Sequence, residues 1–127
     1  MKTKKLEISI AEATGSALDW LVAEAEGENV IMENGMLGAW DHHYGDDHPV
    51  SEFVAYRPSE DWEQCGYLIA KHAIGFYGHD ADNWKAVSAP EDVDYSGVGP
   101  THLVAACRLI ASAHFGPTAL VPTEVMP

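Results

Sequence analysis

The longest apolar pattern in the chain falls in residues 99–116. Pro100 stands where a first helical residue belongs, Gly116 supplies a left-handed stop, and Pro117 prevents continuation. At about 100° per residue, Thr101, Ala105, Arg108 and Ser112 share one narrow stripe. Apart from His102 and His114, the rest of the circumference is apolar, from Leu103 and Val104 through Leu109 and Ile110 to Phe115. A helix apolar around most of its surface is covered on several sides by other elements. The pattern therefore predicts the spine of a core.

Upstream, residues 6–10 alternate Leu, Glu, Ile, Ser, Ile, the period of a half-buried strand. Thr14 is placed to cap a helix over 15–26 that Gly27 closes. Its buried arc is Ala17, Leu18, Leu21, Val22 and Ala25; Asp19 and Glu26 are expected to face water, and Trp20 flanks the arc. Asn34-Gly35 between short apolar runs predicts a hairpin whose second strand ends near Trp40. Residues 41–52 carry no apolar period and read as a surface loop. Residues 53–57 regain strand character, and Ser59 is the expected cap of a helix over 62–72, with Gly66 as a local weakness. Phe76 and Tyr77 read as an isolated extended pair, 78–83 as turn material, 84–88 as a short strand and 89–98 as an irregular lead into the spine. After Gly116 the prolines hold an extended tail, with Leu120 and Val121 against the core. Together these elements predict an α+β fold in a single domain, 1–127. A mainly antiparallel sheet packs against two principal helices and a shorter one, with disordered or extended ends at 1–5 and 122–127.

Composition narrows the function classes. Twenty acidic residues against seven Lys and Arg give a formal net charge of -13. That charge opposes direct binding to nucleic acid or to an anionic membrane. It serves solubility, and it also suits an acidic surface that imitates DNA or occupies a basic patch on a host protein. Two cysteines, Cys65 and Cys107, are too few for a secreted scaffold and read as reduced thiols. The basic start is followed by no continuous apolar run, so neither a signal peptide nor a membrane span is expected. The expected compartment is the cytoplasm.

A few side-chain groupings could carry chemistry. His42, His43 and His48 lie beside acids that include Asp46, and imidazole with carboxylate suits zinc, nickel or manganese. Ligands so close on one loop lack a fixed geometry, so these four are the candidates while no metal or cofactor is expected. His72 shares a helical face with Cys65 but stands two turns away, roughly 10 Å by helical rise, too far to activate the thiol. No nucleophile elbow or phosphate-binding glycine loop is present, and no two carboxylates can be paired as acid and base. The chain reads as a nonenzymatic protein. Binding is suggested by the aromatic residues Tyr56, Trp62 and Trp84 in its middle. Arg57, the only Lys or Arg from Leu6 to Ala70, would either grip a phosphate or carboxylate or pair with Glu60 or Asp61. Arg108 has the same two readings.

Several residues then fall into a known series: Thr14-Gly15, Ala17 through Trp20, Ala25 through Gly27, Tyr56 with Pro58-Ser59 and Asp61-Trp62, Gly66 with Leu68-Ile69, Trp84 with Ala86, and Gly99-Pro100-Thr101 through Arg108 to Val121-Pro122. The series resembles a family of small proteins of tailed bacteriophages and prophages, a domain family of unknown function that includes proteins called NinX. Residues 41–52 and 76–83 depart from it. The resemblance implies a phage accessory protein in the bacterial host cytoplasm, and it carries over no catalytic residue. The residues point to a counter-defence factor that sequesters a nucleotide-like or other planar anionic small molecule, with Tyr56, Trp62 and Trp84 stacking and Arg57 and Arg108 meeting charge. The alternatives are an acidic, DNA-mimic-like inhibitor of a host protein and a metal-dependent enzyme using the His/Asp loop. The oligomeric state is left open.

Overall fold

A computed structural model describes residues 4–88 and 95–126. Its spine is helix α3 (His102–Phe115), with Leu103, Cys107, Leu109 and Ile110 buried on it. Thr101 is the N-cap, its hydroxyl accepting the Val104 N–H at 3.1 Å. Pro100 thus precedes the cap rather than opening the helix, because the threonine side chain satisfies an otherwise orphaned donor. The helix ends at Gly116, where φ is 85° but ψ is extended, so the chain turns straight into a strand.

Helix α1 (Gly15–Glu26) packs on α3 and closes with a left-handed Gly27. Leu18, Leu21 and Val22 are fully buried, and each such side chain contributes about 1.5–3 kcal/mol. Thr14 has the extended backbone of a cap but makes no side-chain capping bond. Helix α2 (Trp62–Lys71) is shorter, and its cap is Asp61 rather than Ser59, with the Asp61 carboxylate accepting from the Glu63 and Gln64 N–H groups.

The fold class is α+β as expected, but the strands form three small antiparallel sheets in place of one. β1 (Lys5–Ser9) pairs with β8 (Thr118–Pro122), so the proline-bounded tail is a strand, with Val121 buried and Leu120 exposed. β2 (Ile31–Glu33), β3 (Met36–Gly45) and β4 (His48–Ala55) form a meander. Its first turn is the Asn34-Gly35 hairpin, both residues at positive φ. The third sheet is β5 (Ile74–Asp80), β6 (Asn83–Ser88) and β7 (Tyr95–Gly99). Each meander joins neighbours in sequence and therefore closes on itself locally, and the helices, rather than strand pairing, connect the three.

Residues 41–52, expected as a loop, are instead the distal half of a β3–β4 hairpin, registered without a break from Gly38 opposite Ala55 to Gly45 opposite His48. Its tip is Asp46-Asp47, both in the left-handed region at φ 50° and 66°. The apolar alternation is missing because both faces of this arm meet solvent; none of residues 40–54 is buried. Phe76 and Tyr77 are likewise part of a full strand, and the expected turn material contracts to Ala81-Asp82, which Asp80 organises by accepting the Asp82 N–H at 2.9 Å. The lead into the spine is β7 from Tyr95 onward; residues 89–94 lie outside the described residues.

β7 lies directly on the Thr101, Ala105, Arg108, Ser112 stripe of α3. A Cβ at Gly97 would run into the Ala105 carbonyl oxygen and the Leu109 nitrogen, so only glycine permits this approach. The polar stripe is thereby covered by backbone: Arg108 Nη1 donates to the Val98 carbonyl at 2.8 Å, and Ser112 Oγ to those of Leu109 at 3.1 Å and Ser96 at 3.4 Å.

Candidate functional site

Arg108 is anchored at a second point. Its Nε donates to the Ala13 carbonyl at 3.1 Å, tying the turn before α1 to β7 across the spine. Both acceptors are neutral. Among the described residues no carboxylate comes within 4.0 Å of this guanidinium. Burial pushes its pKa below the ordinary value, yet a guanidinium stays charged in proteins. The charge borders an open cleft of about 590 Å³ between the β1 end, the β5–β6 turn, β7 and α3. Ile10, Val98 and Pro117 give it apolar walls; Ser112, His79 and Asn83 add polar groups. Asp80 also lines it, but its carboxylate is engaged by the Asp82 N–H and by Asn83 Nδ2 at 2.9 and 3.1 Å, which holds its pKa low. The volume and the mixture of apolar wall with a few convergent polar groups match small-molecule sites.

The other sequence-derived candidates lie elsewhere. Tyr56 and Arg57 line a separate hollow of about 210 Å³ with Asp19 and Glu60. Arg57 is exposed and makes no ion pair with Glu60 or Asp61 among the described residues; its backbone N–H instead donates to Gln64 Oε1. Burial drives the Tyr56 phenol pKa upward, so the ring stays neutral. Trp62 and Trp84 do come together, on either contact of His102 in the first turn of α3. The Trp84 ring stacks on the imidazole at 4.1 Å, Trp62 stands tilted at 5.9 Å, and Phe76 meets it edge-on at 5.0 Å. None of these rings lines the Arg108 cleft. Of the five binding candidates, the cleft contains Arg108 alone.

The histidine-rich segment sorts by strand face. Trp40, His42 and Tyr44 share one face of the arm with Phe53, Ser51 and Pro49, while Asp41 and His43 share the other with Glu52 and Val50. His42 Nδ1 is hydrogen-bonded to Ser51 Oγ at 2.7 Å and His48 Nδ1 to the Asp46 carbonyl. His42 and His43 are therefore parted by the sheet. The group whose ligand atoms do approach one another is Asp41, His43 and Glu52, all exposed. Glu52 became a neighbour only through cross-strand pairing, which a loop reading does not supply.

Of two acids expected to face water, Asp19 is buried and Glu26 half-buried. The Asp19 carboxylate accepts the Ser59 N–H at 2.8 Å, and burial raises its pKa from 3.8 to about 6 despite that bond. Glu26 accepts from Lys71 Nζ at 2.7 Å and contacts His72 Nε2 at 2.8 Å, in a cavity of about 460 Å³ between the ends of the three helices. Burial pushes the Glu26 pKa up, but the bonds from Lys71 and His72 outweigh it, and the net shift is downward. A carboxylate whose folded pKa is depressed contributes stability above its unfolded pKa, lost as pH falls through the folded value. Glu26→Gln is therefore expected to cost about 1 kcal/mol at pH 7, with the difference from the parent protein shrinking as pH falls through the depressed Glu26 pKa, measured by urea unfolding across an acid pH series. His72 is thus engaged with Glu26 rather than with Cys65. Cys65 and Cys107 are buried free thiols, and the neighbouring Cys65 thiol together with burial raises the Cys107 pKa.

Among the described residues no helix is long and apolar enough to cross a membrane. A protein-family model described as Bacteriophage P22, NinX matches residues 9–113. No curated protein matches the chain. The matched span contains every element from the turn after β1 to most of α3, and it includes Arg108 and Ser112 of the cleft.

Proposed function

The chain belongs to the bacteriophage P22 NinX family, and from that premise we propose a phage accessory protein that acts by binding, holding a small anionic molecule in the Arg108 cleft. The observation that carries this reading is a guanidinium that, among the described residues, is bound only by neutral carbonyls, bordering a cleft of about 590 Å³, in a chain whose formal net charge is -13. With no carboxylate paired to it among the described residues, its charge is available to a ligand. With the Ser112 hydroxyl and the Asn83 amide already bonded within the protein, Arg108 supplies the charge that would meet a phosphate or carboxylate, Asn83 shapes the wall beside it, and Ile10 and Pro117 would cover an apolar body. Catalysis has less support, because the Ser112 hydroxyl is committed to main-chain carbonyls. Sequestering such a molecule in the host cytoplasm would make the protein a counter-defence factor. The stacking expected from Tyr56, Trp62 and Trp84 has no part in this version, so planarity of the ligand is no longer required.

A thermal-shift panel of nucleoside monophosphates, cyclic dinucleotides, sugar phosphates and short-chain carboxylates tests it. A ligand at 100 times its Kd stabilises by about 2.7 kcal/mol. At least one class should raise Tm by roughly 8 °C or more, and Arg108→Lys or Asn83→Leu should abolish the rise. No stabilisation by any class, or a rise equal in both variants, overturns the reading.

A further inference from the structure

The β3–β4 arm has features that folding does not explain. Its distal half buries nothing, yet one face carries Trp40 and Tyr44, 47% and 79% exposed, with Phe53 packed edge-on against Trp40 at 5.5 Å. Exposed aromatic residues along such a face are the composition of an interface centre rather than of a solvated surface. On the opposite face Asp41 and Glu52 stand directly across from each other, an arrangement of like charges that disfavours the pairing. The tip repeats the pattern. Both turn positions have positive φ, where glycine or asparagine would sit with least strain, and both are aspartate. The arm from 36 to 55 thus carries four acids and no Lys or Arg.

We propose that the arm docks into an apolar groove with basic walls on another protein, Trp40, Tyr44 and Phe53 filling the groove and Asp46 and Asp47 at the tip meeting Lys or Arg on its rim, while Asp41 and Glu52 on the outer face add to the arm's negative field. Charge complementarity selects this occupant. A second copy would bring the same acids against these, and nucleic acid would be repelled by them. The inference stands apart from the Arg108 cleft, since no arm residue between 40 and 54 lines it. Because these positions lie outside the core, they can be changed without unfolding the protein.

The test places a photo-crosslinking amino acid at Tyr44 and, as control, at Tyr67 on α2, which is 69% exposed. Both are irradiated in bacterial host extract, and the partner captured at Tyr44 is purified and its affinity measured. The expected result is a protein captured at Tyr44 and not at Tyr67, through a peptide containing Lys or Arg. Its Kd should rise at least tenfold in Trp40→Ser/Tyr44→Ser and in Asp46→Asn/Asp47→Asn, and should weaken steeply with salt. Unchanged circular dichroism certifies the variants. Capture of only a second copy or of nucleic acid, no capture above the control, or a Kd unchanged from the parent's in either double variant overturns the proposal.

Discussion

Gly97→Ala is expected to destabilise the protein by about 3 kcal/mol or more, enough to lower Tm by roughly 10 °C. The added methyl would meet the Ala105 carbonyl oxygen, the Leu109 nitrogen and the Arg108 carbonyl carbon, all main-chain atoms of α3. A flexible side chain could move aside; a helix backbone cannot. β7 would have to withdraw, taking with it the Val98 carbonyl that Arg108 holds at 2.8 Å. For a domain whose total stability is about 5–15 kcal/mol, that is a large fraction. Gly75→Ala is the matched control, lying on β5 of the same sheet with nothing within 4 Å of its prospective Cβ. It should leave stability within about 1 kcal/mol or raise it slightly. Equal effects of the two substitutions in thermal unfolding would refute the close approach.

Asp19→Asn is expected to act in the opposite direction, and only above a particular pH. Burial, the dominant cause, pushes the Asp19 pKa from its ordinary 3.8 up to about 6 in the folded protein. The folded state therefore holds the proton more tightly than the unfolded chain. The stability this confers is complete below the unfolded pKa and is lost as pH rises through the folded one, a change on the order of 2–3 kcal/mol between pH 4 and 7. Asparagine cannot ionise, and its Oδ1 still accepts the Ser59 N–H. The variant should match the parent near pH 4, within the cost of placing its amide N–H groups, and exceed it by about 2 kcal/mol at pH 7.5. Denaturant titrations across this range read the difference directly. A variant that retains the parent's slope would mean that another group carries it.

What the sequence conveyed and what it withheld follow from where the physical information lies. Although Pro100, which reads as the first helical residue, masked the Thr101 cap, the spine helix was legible because its signals are local: Pro100 near its start, the apolar circumference, Gly116-Pro117. Asn34-Gly35 and Gly27 were legible for the same reason. The arm was not, because alternation marks a strand only when one of its faces is buried, and His42, His43 and Tyr44 have water on both sides. β7 was hidden by its glycines, which read as breakers along the chain but serve here to admit a helix backbone. Asp19 and Glu26 were assigned to water because their partners, Ser59, Lys71 and His72, are distant in sequence. The site divided similarly. The under-charged stripe containing Arg108 and Ser112 was visible on the helical wheel, but Ile10, His79 and Asn83 are brought to it by three other segments. Of the mid-chain aromatic residues, Trp62, Phe76 and Trp84 gather around His102, a residue with no distinguishing mark in its own neighbourhood.

The pairing of β1 with β8 sets a schedule for synthesis. Ile10, among the most buried side chains, is fixed by an N–H bond to the Pro117 carbonyl, and the Lys4 carbonyl accepts from the Thr123 N–H. None of these partners exists until nearly all of the chain described has been made. At about 5–20 residues per second, the first strand waits on the order of ten seconds for its mate. During that interval the two local meanders and α1 can form, while Leu6, Ile8 and Ile10 stay uncovered. Lys4, Lys5 and Glu7, interleaved with them, are the charges that keep this waiting edge from pairing with another chain. The last stitch of the fold is therefore made only after β8 has left the ribosome.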